Sequence, residues 1–161
     1  MLIRTAQSIA EVQEAYKIEE ASYPLEAAAS LNAFYERFRL FHPYFIVAEQ
    51  DHQIVGVANG IRLNHEDLSD EGMKQMSGYD QDGRNFCLLT VAVDADFRGH
   101  GIGYELLNAV IQQAKQDNLE HVLLMCEEHL IHFYQRAGFV YVKPSASGHA
   151  GIAWHEMKLI L

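Results

Sequence analysis

The stretch VDADFRGHGIGYELL, residues 93–107, sets Gly99, Gly101 and Gly103 at alternate positions between two apolar segments. Before it, Asn85–Val93 reads NFCLLTVAV, nearly continuous in apolar residues, as a strand buried on both faces does. After it, Ile102, Leu106, Leu107, Val110, Ile111 and Ala114 form one apolar stripe on a helix over residues 101–118. A strand that hands over to a helix through three glycines has two readings. One is a tight turn with no ligand. The other is an anion cradle: the first four N–H groups of a helix lack intrahelical partners and carry the positive end of its dipole. Glycines let a phosphate approach that backbone without meeting a Cβ, and Arg98 adds a cation beside it.

Two common phosphate loops do not fit. A Walker loop needs Gly-Lys-Ser/Thr, and Tyr104 follows Gly103. The dinucleotide fingerprint needs a third glycine where Leu106 stands, in a first βα unit, whereas this turn lies past the middle of the chain.

The pattern extends outward on both sides. Leu2–Thr5 predicts a short strand, and Ser8 with Glu11 forms a capping-box pattern ahead of Ile9, Val12, Ala15 and Ile18 at helical spacing. This helix should stop before Pro24. Ser30 opens a second short helix with Leu31, Phe34, Phe38 and Phe41 on roughly one face. Residues 44–49 and 53–61 flank a polar break and predict a β-hairpin. Residues 64–84 are polar and glycine-broken, a loop with at most one helical turn. Beyond the central helix come a strand at 121–125, a helix at 128–137 closed by Gly138, and strands at 139–142 and 152–161. The expected fold is α/β: a mixed sheet of about six to seven strands with helices on both faces, antiparallel in the first half and parallel in the second.

At 161 residues and 49% hydrophobic, the chain suits one domain, residues 1–161, with a single core. Its net charge of -10 argues against nucleic acid, whose binding needs a basic footprint, and is compatible with a cationic small substrate. No stretch approaches a bilayer span, and the N-terminus lacks the basic and apolar regions of a signal peptide, so no membrane partner and a cytoplasmic location are expected. Cys87 and Cys126 sit in apolar segments with no CxxC pair and read as reduced strand cysteines. The nine histidines show no HExxH or cysteine cluster, so no metal is expected. Ser145–His149 lacks a GxSxG elbow and reads as a loop between two late strands.

The spacing Arg98-x-x-Gly101-x-Gly103, after a strand ending VAV and before an amphipathic helix, resembles the acetyl-CoA motif of the GNAT superfamily of N-acetyltransferases. The downstream LLMCEEHLIHFYQRAGFVYV resembles the second half of that superfamily, and the element order agrees over essentially the whole chain. Within it, LMCEE and FYQRAGF together with FRGHGIG look most like the arylalkylamine N-acetyltransferases, over roughly residues 85–140.

The resemblance implies acetyl-CoA as donor, a small-molecule amine as acceptor, and a monomer or homodimer. It implies that Val91, Ala92 and Val93 pair with the pantetheine and that main-chain N–H groups of Arg98, Gly99, His100, Gly101, Ile102, Gly103 and Tyr104 hold the pyrophosphate. It implies that an N–H near Val91 polarises the thioester carbonyl and that Tyr134 lies beside the thioester sulfur as general acid; a phenol, with its pKa near ~10, can protonate a departing thiolate. Two strand histidines of the vertebrate enzymes correspond here to Cys87 and Leu89, neither of which can act as their base. The substitutes are Glu20, Glu26, His65, His132 or water, with Glu26 favoured as the base. A catalytically silent acyl-CoA-binding module and an enzyme acting on a protein or peptide amine are the competing functions. An aromatic-lined closed pocket drawing on Tyr23, Phe34, Phe86 or Trp154 would favour the small amine.

Overall fold

The structure is a computed structural model describing residues 1–161. Seven strands form one sheet: β1 (Leu2–Thr5), β2 (Ile46–Gln50), β3 (Gln53–Leu63), β4 (Asn85–Val93), β5 (His121–Cys126), β6 (Val140–Pro144) and β7 (His155–Ile160). Their spatial order is β1-β2-β3-β4-β5-β7-β6. Four helices flank it: α1 (Ile9–Ser22), α2 (Leu31–Leu40), α3 (Ile102–Gln116) and α4 (Ile131–Arg136). The mixed α/β sheet expected from the sequence is the sheet observed.

Parallel pairing is confined to β4 and β5. The expectation of a parallel second half is corrected here: β7 returns from a loop after β6 and slots antiparallel between β5 and β6. The connection through α4 carries the chain past the space that β7 then fills.

Local signals account for most of the helices. The Ser8 hydroxyl accepts the Glu11 N–H at 3.3 Å and the Ser30 hydroxyl accepts the Ala33 N–H at 3.1 Å, so both N-termini are capped. Glu11 departs from a regular capping box: its carboxylate accepts the N–H of Gln7, one residue before the cap, at 2.8 Å. On α3 the six residues of the predicted stripe are the buried ones. Each contributes about 1.5–3 kcal/mol if it is a fully buried large aliphatic side chain. Ile9, placed on the inner face of α1 by its spacing, is instead exposed.

The sheet separates two apolar layers. One packs α3 against Ile61, Phe86, Leu124 and Met157. The other packs α1 and α2 against Val47, Val57 and Ala92. The 64–84 segment carries the single turn expected of it, at Met73–Gln75, and buries Leu68 and Met73. No helix is long and apolar enough to cross a membrane.

Candidate active site

The site begins with an irregularity in β4. Leu88 pairs with Gly60 and Thr90 pairs with Asn59, so Leu89 is an extra residue without a partner, a β-bulge. Gly60 makes it possible: a Cβ there would stand 2.0 Å from the carbonyl oxygen of Cys87. The bulge reverses which side chains face which layer. Phe86 stacks on Tyr44 at 4.3 Å, and Tyr44 donates to Asp117 at the end of α3. Thr90 has the same parity as Phe86, yet it bonds Glu19 of α1 and Arg37 of α2 on the opposite side.

Past the bulge, β4 and β5 part. Only Asn85–Leu88 pair with His121–Leu124. The remaining length of β4 borders a cleft, where the Val93 carbonyl accepts Arg98 Nε at 3.0 Å and the Val91 carbonyl receives the Tyr23 hydroxyl at 3.5 Å. Val91, Ala92 and Val93 therefore border the gap, beyond the last β4–β5 pair at Leu88 and Leu124.

At one end of the gap lies the glycine turn. Asp94 caps a short turn at Ala95–Phe97 by accepting the Asp96 N–H at 2.9 Å. Gly99 and Gly101 follow with φ of 84° and 81°, left-handed backbone that strains other residues. Gly101 is the N-cap of α3 and supplies no side chain to it. The first N–H groups of α3 therefore face a groove of about 750 Å³ lined by residues 97–105 together with Phe133 and Arg136. Arg98 and Arg136 place two cations on this groove. Arg136 carried no sequence signal, because α4 brings it there from the far side of β5.

At the other end is a narrower cavity of about 60 Å³, room for the reactive end of a molecule rather than for the whole of one. Leu88–Val91 and Met125–Glu127 form its two strand walls, and Tyr134 faces it from α4. Tyr134 is 8% exposed, with its ring edge-on to Phe133 and Phe139. Burial, then the nearby Tyr23 and Cys126, pushes its hydroxyl above the usual phenol range, so it presents a proton. Burial also pushes the thiols up, Cys87 to about 12 and Cys126 to about 11, so neither is a thiolate nucleophile at neutral pH.

A buried polar cluster supports the wall opposite β5. Glu19 accepts Thr90 Oγ1 at 2.9 Å, the Ala29 N–H at 2.8 Å and Lys74 Nζ at 3.3 Å. Arg37, fully buried, donates to Asn59 at 2.7 Å, to Thr90 at 3.2 Å and to the Lys74 carbonyl at 2.7 Å. Burial lowers the Arg37 pKa to about 10 and lowers that of Lys74 as well, Glu19 opposing both shifts. The Lys74 ammonium sits 4.1 Å from the centre of the Tyr23 ring, at the cavity wall. A signal for Arg37 existed: it follows Ala33 and Phe34 by four and three positions, so it shares their inner face.

The residues singled out by sequence divide in two. Tyr134, Val91, Val93 and the turn 98–104 converge on the gap and its two ends. Glu26 does not. The turn after Pro24 leaves it exposed, outside the residues that line the cavity. Glu20, His65 and His132 are likewise exposed and away from the cavity. Tyr23 and Trp154 line it, whereas Phe34 and Phe86 are core residues. No three His, Cys, Asp or Glu side chains group as a metal site would require.

Residues 9–139 match the acetyltransferase (GNAT) family. Among related sequences, an uncharacterized N-acetyltransferase, ycf52, of Pyropia yezoensis is 29% identical over 73 residues, which are 45% of this chain and 40% of that relative's length. The match thus spans less than half of either protein. Among solved structures, the loading GNATL domain of CurA from Lyngbya majuscula superposes with a TM-score of 0.83 at 14% identity, covering 99% of this chain and 96% of that one. The NatC complex bound to Gag peptide and CoA superposes with a TM-score of 0.74 at 13% identity, covering 99% and 98%. With its sheet splayed beside a glycine turn, and with 131 consecutive residues matching the family, the chain belongs to the acetyltransferase (GNAT) family.

Proposed function

We propose that this protein transfers an acetyl group from acetyl-CoA to the primary amine of a small molecule, by direct attack in a ternary complex. The observation that carries the reading is the gap between β4 and β5, with an anion cradle at one end and a buried tyrosine at the other. On this reading the pantetheine lies along Val91–Val93 as a surrogate strand. The N–H groups of residues 98–104 hold the pyrophosphate, aided by Arg98 and Arg136. A backbone N–H by Val91 polarises the thioester carbonyl.

Tyr134 then protonates the departing thiolate. The buried cations Arg37 and Lys74 face the buried carboxylate of Glu19 on one side of the cavity, and the carboxylates of Asp70, Glu71 and Glu127 also line it.

A small acceptor is favoured over a peptide by the way the cavity closes. The 64–84 segment and the 145–154 loop meet above it, the Gly148 N–H donating to Glu71 at 2.9 Å. A peptide-binding groove would need that contact opened along its length.

The test is release of free thiol from acetyl-CoA across a panel of small amines, amino sugars and N-terminal or lysine peptides. Turnover with small amines alone supports the reading. Turnover with peptides alone moves the acceptor to a polypeptide. Calorimetric binding of acetyl-CoA without turnover on any acceptor would leave a silent binding module.

A further inference from the structure

The cavity has a wall that neither the splay nor the glycine turn supplies. Between Pro144 and His155 the chain forms a loop closed at its base by the Ser145 N–H on the Trp154 carbonyl, 2.9 Å. Its centre is His149. The His149 N–H donates to the Ser147 hydroxyl at 3.2 Å, and the Trp154 indole donates to the His149 carbonyl at 2.9 Å. The neighbouring Gly148 is tied across to Glu71. Ala150, next in the chain, holds φ 58° and ψ 18°, a conformation that costs a residue with a side chain. The main chain is thus held on both sides of a histidine that lines the same cavity as Tyr134.

That ring ends in an unmet need. His149 Nε2 is shut off from solvent and has no hydrogen-bond partner. Buried polar atoms almost always have one, and an orphan is costly. The strained loop thus sets an unpaired, buried imidazole nitrogen in a residue that lines the cavity.

We propose that His149 is the group that takes the proton from the acceptor's ammonium, a role that rests on the acetyl-transfer reading. The role requires the tautomer with hydrogen on Nδ1, leaving the Nε2 lone pair free. Nε2 takes one proton from the ammonium, and the freed nitrogen lone pair forms a bond to the acetyl carbonyl carbon. The C–S bond breaks, its electron pair leaving on sulfur, and that thiolate takes a proton from Tyr134. The second proton lost by the nitrogen restores Tyr134, and His149 passes its proton to solvent.

The other ionisable groups on this cavity are committed or unsuited. Asp70 accepts from Ser77 and Gly72, Glu71 accepts from Gly148, and Lys74 is a cation. Cys87, Cys126, Tyr23 and Tyr134 are all held in their protonated forms by burial. Glu127, half-buried beyond β5, is the one competitor.

The experiment measures kcat/KM for the best amine from pH 6 to 10 in the wild type, His149→Gln, His149→Ala and Glu127→Gln. Folding is checked by circular dichroism and acetyl-CoA binding by calorimetry. The expected result is an acid limb in the wild type and in E127Q, its absence in H149Q, and a fall in kcat of roughly 10²-fold in H149Q with KM for acetyl-CoA unchanged. Added imidazole restores part of the H149A rate, which a purely structural role would not allow. An H149Q enzyme with the wild-type rate and profile, or loss of the acid limb in E127Q alone, overturns the proposal and leaves acetyl transfer standing. A wild type that turns over no amine overturns both.

Discussion

The ammonium of Lys74 meets the carboxylate of Glu19 at 3.3 Å, with Glu19 wholly buried and the Lys74 side chain 11% exposed. The pair joins the 64–84 segment to α1, and Arg37 fastens the same segment through the Lys74 carbonyl. A long connection with a single short turn of its own is thereby held as a wall of the site.

Replacing Glu19 strands two buried cations. Breaking one side of a buried pair costs about 3–5 kcal/mol. Glu19→Gln is expected to lower the thermal midpoint by about 6–20 °C, at about 2–4 °C per kcal/mol for a chain of this size. Lys74→Met should cost far less, because Glu19 keeps Thr90 and the Ala29 N–H. Thermal melts of the two variants side by side check the order; equal losses would overturn it.

Gly60→Ala separates crowding from backbone conformation. Its Cβ would meet the Cys87 carbonyl oxygen at 2.0 Å, and backbone cannot yield as a side-chain tip can. We expect about 3 kcal/mol of lost stability and loss of acetyl-CoA binding as the bulge deforms. Gly99→Ala, where nothing lies within 4 Å and φ is 84°, should cost only about 1–2 kcal/mol. Urea unfolding and calorimetric titration with acetyl-CoA measure both effects.

Tyr134→Phe keeps the ring contacts with Phe133 and Phe139 and removes only the hydroxyl. On the proposed mechanism kcat falls roughly 10²-fold while KM for acetyl-CoA stays within about twofold. A matched rise in KM with kcat unchanged would assign Tyr134 to binding instead.

Acid should loosen the junction of β1 and α1. Glu11 accepts two Arg4 bonds, at 2.9 and 2.6 Å, and this guanidinium holds its carboxyl below the usual range. A carboxyl depressed on folding gives stability that is complete above the unfolded value of ~4.3 and is lost as pH falls through the lower folded value. With both side chains partly exposed, the effect is about 1 kcal/mol. Urea midpoints from pH 6 to 3 should fall more steeply in the wild type than in Glu11→Gln.

The thiols offer a direct check on packing. With Cys87 pushed to about 12 and Cys126 to about 11, Ellman's reagent at pH 8 should titrate neither in the folded protein and both in guanidinium. Rapid native reaction would show that the cavity opens readily.

Sequence periodicity captured the features that one-dimensional spacing dictates. The α3 stripe, the β4 limits and the two serine caps are each written in residues close together in the chain. The features that escaped are made by residues far apart. Glu19, Arg37, Asn59, Lys74 and Thr90 come from five separate segments, and only the folded sheet brings them together. His149 escaped for a related reason: its meaning lies in an absent partner, and no local pattern records an absence. The resemblance points to the loop that holds Glu26, but a loop's position does not fix which of its side chains face inward: Tyr23 lines the cavity and Glu26 does not.

The unpaired Leu89 carries a meaning for how this strand can change. A point mutation there alters one side chain. Loss of that single codon would turn the outer half of β4 over, sending Thr90 and Ala92 toward α3 and Val91 and Val93 toward α1 and α2. Glu19 and Arg37 would lose their shared hydroxyl, and methyl groups would be thrust between them. Within this strand, lineages can therefore explore new side chains one at a time, while a three-nucleotide change in length is closed to them.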